Sequence, residues 1–136
     1  MSLEPYSMNP YIVTVFLEDT DAGGIVYHAR YLNFMERCRT RFFYHKGIDH
    51  AQLITSHTGN FVVTHVDISF KSPARLGEEL TITLDAVEIR GASIKCAQRV
   101  IRGEQLLVSA MITLAFVNTQ TGKPIRIPEL LKTKMH

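Results

Sequence analysis

Apolar residues recur along this chain with two different periods, and the change of period separates one helix from a set of strands. After Gly23 and Gly24, apolar residues return every three or four positions, which predicts an amphipathic helix with one buried stripe. Gly47 is expected to end this helix. The apolar stripe comprises Tyr31, Phe34, Met35, Cys38 and Phe42, and the polar face, expected to be solvated, carries Glu36, Arg37, Arg39 and Arg41.

Runs rich in Val, Ile, Thr and aromatic residues predict the strands. The first, Tyr11 to Leu17, precedes the helix and is expected to be mostly buried. Asp49 to Thr58 is a short polar connection with room for a helical turn. Turn signals separate the later runs, and short turns make antiparallel neighbours. These later strands are predicted at Phe61 to Phe70, Leu80 to Ile89, Ser93 to Arg102 and Leu106 to Val117.

The order of these elements predicts an α+β fold in which a single helix covers one face of an antiparallel sheet. The run from Leu106 to Val117 is apolar at nearly every position, so it is expected to lie inside the sheet. In the run from Leu80 to Ile89, alternation places Asp85 on the polar side with the threonines. One helix cannot cover both faces and the long outer strands, so we expect a homo-oligomer with its site near the subunit boundary.

The composition fits one globular domain. The chain has 136 residues, of which 46% are hydrophobic, and a formal net charge of +2, which is too mild to indicate a nucleic-acid partner. Residues 1–8 are expected to be a disordered leader and residues 9–136 a single domain. No run is long and apolar enough to cross a bilayer, so a cytoplasmic protein is expected. Cys38 and Cys96 are expected to be buried thiols rather than a disulfide.

The chemistry is concentrated in the turn before the helix, where Asp21 and His28 come close to the predicted helix start. Unpaired amides and a partial positive charge at a helix start can hold an oxyanion, and a carboxylate beside them favours acyl chemistry. Simpler interpretations stay open: Asp21 can belong to an ordinary loop, His28 to a helix cap, and Tyr27 and Tyr31 to a core or an interface. A calcium loop fails at Arg30, where a glutamate is required.

The same segment resembles the hotdog-fold 4-hydroxybenzoyl-CoA thioesterase family, and within it the bacterial acyl-CoA thioesterases associated with the Tol-Pal system. The resemblance is strong in the first third of the chain and looser beyond it, where Phe70, Pro73, Ala74 and Leu80 match. It implies a long helix wrapped by a five-stranded antiparallel sheet. The residues that carry it are Glu18, Asp19, Thr20, Asp21, Ala22, Gly23, Gly24, Ile25, Val26, Tyr27, His28, Ala29, Tyr31, Leu32, Glu36, Arg37 and Arg39.

The resemblance also implies an activity, the hydrolysis of an acyl-CoA thioester to a free acid and coenzyme A. Asp21 corresponds to the catalytic carboxylate and His28 to the active-site histidine, while amides around Tyr27 and His28 polarise the carbonyl. Gly24, Tyr27 and Tyr31 are assigned to substrate binding. Attack by Asp21 on the carbonyl and deprotonation of water by Asp21 both remain open.

The remaining expectations concern partners. Lys71, Arg75 and Arg90 are candidate ligands of the coenzyme A phosphates, although each can be an ordinary surface charge. No cofactor and no metal are expected, and the oligomer is expected to be a dimer or a tetramer. Peripheral association with a membrane or with lipid-synthesis machinery is left open. So are two rival functions, a hotdog dehydratase of acyl thioesters and a non-catalytic acyl-CoA-binding module.

Overall fold

The computed structural model of the protein describes residues 10–56 and 58–136, so the predicted leader lies outside the described residues. Eight helices and strands make up this part of the chain, and a short 3-10 turn, Leu17–Asp19, follows the first strand. The elements are β1 (Tyr11–Thr14), α1 (Arg30–His45), α2 (His50–Thr55), β2 (Asn60–Phe70), β3 (Glu79–Arg90), β4 (Ser93–Arg102), β5 (Gln105–Val117) and α3 (Glu129–Met135).

The strands form one five-stranded antiparallel sheet in the order β1-β3-β4-β5-β2. The predicted α+β architecture, a long helix against such a sheet, is confirmed. The prediction that the last strand lies inside the sheet is also confirmed, since β5 pairs with β4 on one side and β2 on the other. The two strands that come first in the sequence, β1 and β2, form the edges.

Helix α1 packs its predicted apolar stripe into the core, where all five residues of the stripe are buried. The helix ends where expected, because Gly47 follows it with a φ of +79°, a conformation that glycine adopts without strain. The expectation of a fully solvated polar face is wrong for Arg39. This side chain is only 5% exposed, and its Nη1 donates a hydrogen bond to Gln98 Oε1 at 2.9 Å.

Two other predictions about the elements are corrected. The first strand ends at Thr14, because the amide of Phe16 donates to the carboxylate of Asp19 and closes a turn that leaves Phe16 and Leu17 exposed. The fold does not have a single helix, since the C-terminal helix α3 buries Leu131 in the hydrophobic core. Its seven residues are too few to show a clear helical period.

Asp85 is also not on the solvated side of β3. A register irregularity between Leu84 and Ala86 places its carboxylate in the interior, with a side chain only 2% exposed. There it accepts two hydrogen bonds from Arg99 at 2.7 and 2.8 Å, because a buried carboxylate needs a cationic partner. In the described part of the chain, no helix is long and apolar enough to cross a membrane.

Candidate active site

A short hairpin before α1 carries Asp21. Thr20 and Val26 pair across it, and the amide of Asp21 donates to the carbonyl of Ile25 at 3.0 Å. The turn closes where the amide of Gly24 donates to the carbonyl of Asp21 at 3.1 Å. Gly24 has a φ of +77°, so the turn requires a residue without a side chain at this position. Gly24 thus has a structural role in the turn, and its role in substrate binding stays a prediction.

The carboxylate of Asp21 is exposed at the tip of this hairpin. Its Oδ1 accepts a hydrogen bond from the amide of Gly23 at 2.8 Å, and its other oxygen has no hydrogen-bond partner among residues 10–56 and 58–136. A Cβ added to Gly23 would lie 3.3 Å from that Oδ1. The glycine therefore leaves room for the carboxylate to hold its position.

The neighbouring carboxylate, Asp19, is used to build the site. Its Oδ1 accepts from Arg30 Nε at 2.9 Å, and its carbonyl oxygen accepts from the amide of Tyr27 at 2.9 Å. Arg30 also lies 3.6 Å from the exposed carboxylate of Glu18. Asp19 precedes α1 by a turn and a hairpin, 11 residues before Arg30, and neither periodicity nor spacing indicated this contact. It ties the hairpin to the first residue of α1.

A cavity of about 260 Å³ opens beside the hairpin, between its second arm, the start of α1 and the end of β2. Asp21 is not part of its lining, but Ile25, which pairs with Asp21 in the hairpin, is. The lining combines apolar, aromatic and cationic groups, namely Ile25, Val26, His28, Tyr31, Phe70, Lys71 and the Ser72-Pro73 turn.

The aromatic groups of this cavity have different environments. The His28 ring is exposed and lies with its centroid 4.4 Å from the Tyr27 ring and 6.3 Å from the Phe70 ring. Tyr31 is buried, and its hydroxyl oxygen accepts a hydrogen bond from the amide of Ala74 at 3.1 Å. Burial raises the pKa of the Tyr31 phenol above its usual value. Tyr31 thus holds α1 against the segment after β2 while its ring forms part of the cavity wall.

The amides at the start of α1 divide into two groups. The amide of Tyr27 is occupied by the carbonyl of Asp19, so it cannot also polarise a thioester. Within the described residues, the amides of His28 and Ala29 have no acceptor, and no side chain caps the helix at Ala29. The donors expected around Tyr27 and His28 are therefore narrowed to His28 and Ala29.

The three predicted cations do not lie together. Lys71 lines the cavity, and Arg75 follows closely in an exposed segment that pairs with Ile25 of the hairpin. Arg90 lies at the opposite end of β3, about 35 Å along the strand, where it is exposed and forms an ion pair with Glu88 at 3.2 Å. One subunit therefore places Lys71 and Arg75, but not Arg90, near the cavity.

No group of three or more His, Cys, Asp or Glu side chains in the described part of the chain is arranged to hold a metal ion. The two cysteines are free and buried, as predicted. Burial raises the pKa of Cys38 to about 11 and that of Cys96 to about 12, so neither offers a thiolate near neutral pH.

Comparison with known proteins shows the family of the chain. Residues 15–135 match the sequence profile of the Thioesterase-like superfamily. The chain belongs to this superfamily. It is 36% identical over 124 residues to the acyl-CoA thioesterase YbgC of Haemophilus influenzae, covering 91% of each chain. It is 35% identical over 127 residues to the YbgC enzyme of Helicobacter pylori, covering 87% of this chain and 92% of that one.

Solved structures of the superfamily agree with this assignment. A probable thioesterase from Bartonella henselae superimposes with a TM-score of 0.82 at 36% identity, covering 88% of this chain and 98% of the other. The predicted family, the predicted fold and the predicted enzyme class, an acyl-CoA thioester hydrolase, are thereby confirmed. The roles of the individual residues in the hairpin and the cavity stay predictions.

Proposed function

We propose that this thioesterase-family protein hydrolyses acyl-CoA thioesters at the cavity beside the start of α1, with Asp21 as the reacting carboxylate. One contrast supports the assignment. Asp19 and Glu18 both contact Arg30, whereas Asp21 is exposed and has no cationic partner among the described residues. An exposed carboxylate that is not held in an ion pair is free to contact a thioester or a water molecule.

The amides of His28 and Ala29 supply the second requirement of the reaction. Attack on a thioester carbonyl places negative charge on its oxygen, and free amides at a helix start stabilise that charge. A single donor of this kind is worth about 100- to 1,000-fold in rate in other acyl-transfer enzymes. Because these donors belong to the backbone, substitution of the side chains leaves them in place.

Asp21 can act by either of two routes. As a nucleophile it forms a mixed anhydride with the acyl group and releases the coenzyme A thiolate, and water then hydrolyses the anhydride. As a general base it takes a proton from the water that attacks the carbonyl. We assign to His28 the orientation of the thioester or assistance to the departing thiolate.

The lining of the cavity suits the substrate of the proposed reaction. Ile25, Val26 and Phe70 provide apolar walls for the acyl group and the reactive arm of coenzyme A. Lys71 and Arg75 supply the cations nearest to the cavity, and we assign them to the phosphates. Their positive charges complement the negative charges of the phosphates. Because the phosphates are remote from the acyl group, these cations do not determine which acyl group is accepted.

We also propose that the active form is a dimer or a tetramer. Edge strand β2 leaves Val63 and Phe70 about half exposed, and Phe70 forms part of a cavity that is open to solvent. A second subunit would cover this edge and complete the cavity wall. Dilution should therefore reduce specific activity as the oligomer dissociates. Light scattering beside specific activity over a concentration series measures this, and a fully active monomer would refute it.

The rival dehydratase reaction would place its acid within α1, opposite a histidine. Glu36 is the acidic residue of α1, and it lines a second cavity together with His50. Glu36 is exposed and accepts a hydrogen bond from Thr40 at 2.9 Å, whereas the segment that carries the family resemblance surrounds Asp21. Hydrolysis at the hairpin is therefore favoured over dehydration on the helix.

Release of free thiol from a panel of short, long and aromatic acyl-CoA thioesters tests the proposal. We expect steady turnover of at least one of them, and turnover should persist after dialysis against a chelator. If every thioester is bound but none is cleaved, the protein is a binding module. If activity is lost with the chelator and restored by zinc or manganese, the metal-free mechanism is wrong.

A further inference from the structure

A second cavity of about 310 Å³ lies between α1, α2 and the beginning of β2. Its volume is at the lower end of the roughly 300–1,000 Å³ that small-molecule sites occupy. Both cavities border α1, but Arg39 of this one is two helical turns beyond Tyr31 of the first, about 12 Å along the axis. Within the described residues, the two cavities share no lining residue.

The buried guanidinium of Arg39 lines this second cavity. Among residues 10–56 and 58–136, only its Nη1 has a hydrogen-bond acceptor, Gln98 Oε1 at 2.9 Å. Gln98 is itself 1% exposed, and its Nε2 donates hydrogen bonds to the carbonyl oxygens of Met35 and Thr83. It therefore fixes the direction of Arg39 but adds no negative charge.

The remaining N–H groups of Arg39 face the cavity. Among the described residues, no side-chain nitrogen or oxygen that is fully buried lacks a hydrogen-bond partner. Nε and Nη2 of Arg39 have no protein acceptor there, so they retain some accessible surface. Because the residue as a whole is 5% exposed, that surface is the surface of the cavity it lines.

Within the described part of the chain Arg39 forms no ion pair, so the charge of Glu36 acts on it only from beyond ion-pair distance. Glu36 lines the same cavity, but it is exposed and its carboxylate accepts from Thr40. Burial lowers the pKa of Arg39 from its usual value, which reflects the cost of removing a charge from water without an ion-pair partner. An anion that enters the cavity would offset that cost.

The other walls are aromatic and apolar. The rings of Phe43 and Phe61 are stacked with their centroids 5.5 Å apart, and the His50 ring packs edge-on against both, at 5.4 and 5.9 Å. Burial lowers the pKa of His50, so this imidazole stays neutral near pH 7. The site thus combines one cationic end with a flat hydrophobic wall.

We propose that this second cavity binds a small carboxylic acid, with its carboxylate on Arg39 and its apolar body against Phe43 and Phe61. A guanidinium donates two parallel hydrogen bonds to a carboxylate, which a neutral amide or alcohol cannot accept in the same way. Thioester hydrolysis releases a carboxylic acid, so the ligand class includes the product of the enzyme. That link rests on the proposed function, whereas the site itself does not.

Calorimetric titration of the whole protein with benzoate, cyclohexanecarboxylate and octanoate tests the proposal, with benzamide as the neutral match of benzoate. We expect saturable binding of at least one of these acids, and at least tenfold weaker binding of benzamide than of benzoate. Arg39→Gln should weaken binding of the acid at least tenfold. Arg37→Gln, which removes the same charge from an exposed position on the same helix, should not.

Two further variants separate this site from the first cavity and guard against misfolding. Ile54 lines the second cavity but is 45% exposed, so Ile54→Trp should fill the opening and weaken binding without disturbing the core. His28→Ala alters only the first cavity and should leave binding unchanged. Saturable binding of none of the acids, equal binding of benzoate and benzamide, or loss of binding in His28→Ala alone would each overturn the proposal. Binding by Ile54→Trp as tight as binding by the unmodified protein would overturn it as well.

Discussion

The hairpin that carries Asp21 and the sheet beside it are built in opposite ways. The three interior strands bury side chains such as Leu80, Val100 and Leu107 completely, so burial of apolar surface holds them. The hairpin has exposed side chains and is held by backbone hydrogen bonds and by Asp19, which anchors it to Arg30. A reactive carboxylate must meet water and substrate, so the position of Asp21 depends on polar contacts and on the buried side chain of Val26 rather than on extensive packing.

Replacing Asp21 by Asn separates function from stability most sharply. The substitution keeps the shape and the hydrogen bond from Gly23 but removes the charge. We expect kcat to fall at least about 100-fold with a modest change in KM, and the thermal midpoint to stay unchanged. Glu18→Gln is the matched control, because it neutralises an exposed carboxylate of the same segment. Near-normal kcat in Asp21→Asn would transfer the role to another residue.

Asp19→Asn should have the complementary effect. It weakens the hydrogen bonds from Arg30 Nε and from the amide of Phe16, both at 2.9 Å. Bonds to a charged group are worth about 1.5–3 kcal/mol, so we expect a loss of about 2 kcal/mol in the free energy of unfolding. Urea denaturation measures it. If stability is unchanged while kcat falls 100-fold, Asp19 rather than Asp21 is the reacting carboxylate.

His28→Ala should reduce turnover about tenfold, which is less than the effect of Asp21→Asn. The substitution removes the imidazole that orients the thioester or assists the leaving thiolate, but the backbone amide of residue 28 remains. The exposed position of His28 predicts no loss of stability. Steady-state kinetics on the best acyl-CoA substrate provides the comparison. A larger loss in His28→Ala would make His28 the primary base and Asp21 its orienting partner.

Gly24→Ala should show the smallest effect, a loss of about 1 kcal/mol in the free energy of unfolding, because alanine is strained at a φ of +77°. Gly23→Ala is the informative partner. Its new methyl group would crowd Asp21 Oδ1 at 3.3 Å, so it should lower kcat more than stability. Equal effects of the two substitutions on kcat and on stability would contradict the separate roles given to these glycines.

Periodic patterns that extend over about ten residues were sufficient to predict the long helix and most of the strands. The helical spacing of residues such as Phe34 and Phe42 and the strand runs after Phe61 were correctly interpreted, because burial on one face or on both leaves a repeated signal. Short α3 has too few residues for such a signal. The early end of β1 depends on a hydrogen bond that the Asp19 carboxylate accepts from the amide of Phe16, which hydrophobicity does not reveal.

The site was predictable only in part. The motif around Asp21 identified the family, but the contact between Asp19 and Arg30 brings together residues from different elements. The buried position of Arg39 was missed for a similar reason: its partner, Gln98, lies on β4, and an arginine between polar neighbours indicates a solvated face. Tertiary hydrogen bonds of this kind have no local pattern in the sequence.

The order of the strands in the sheet has a consequence for synthesis on the ribosome. The edge strands β1 and β2 and helix α1 emerge first, whereas the centre of the sheet, β3 to β5, emerges after them. At a synthesis rate of about 5–20 residues per second, β1, α1 and β2 are exposed for several seconds before the central strands on which they pack have been synthesised. The meander from β3 to β5 needs only short loop closures and should form the template on which α1, and with it the hairpin of Asp21, is then ordered.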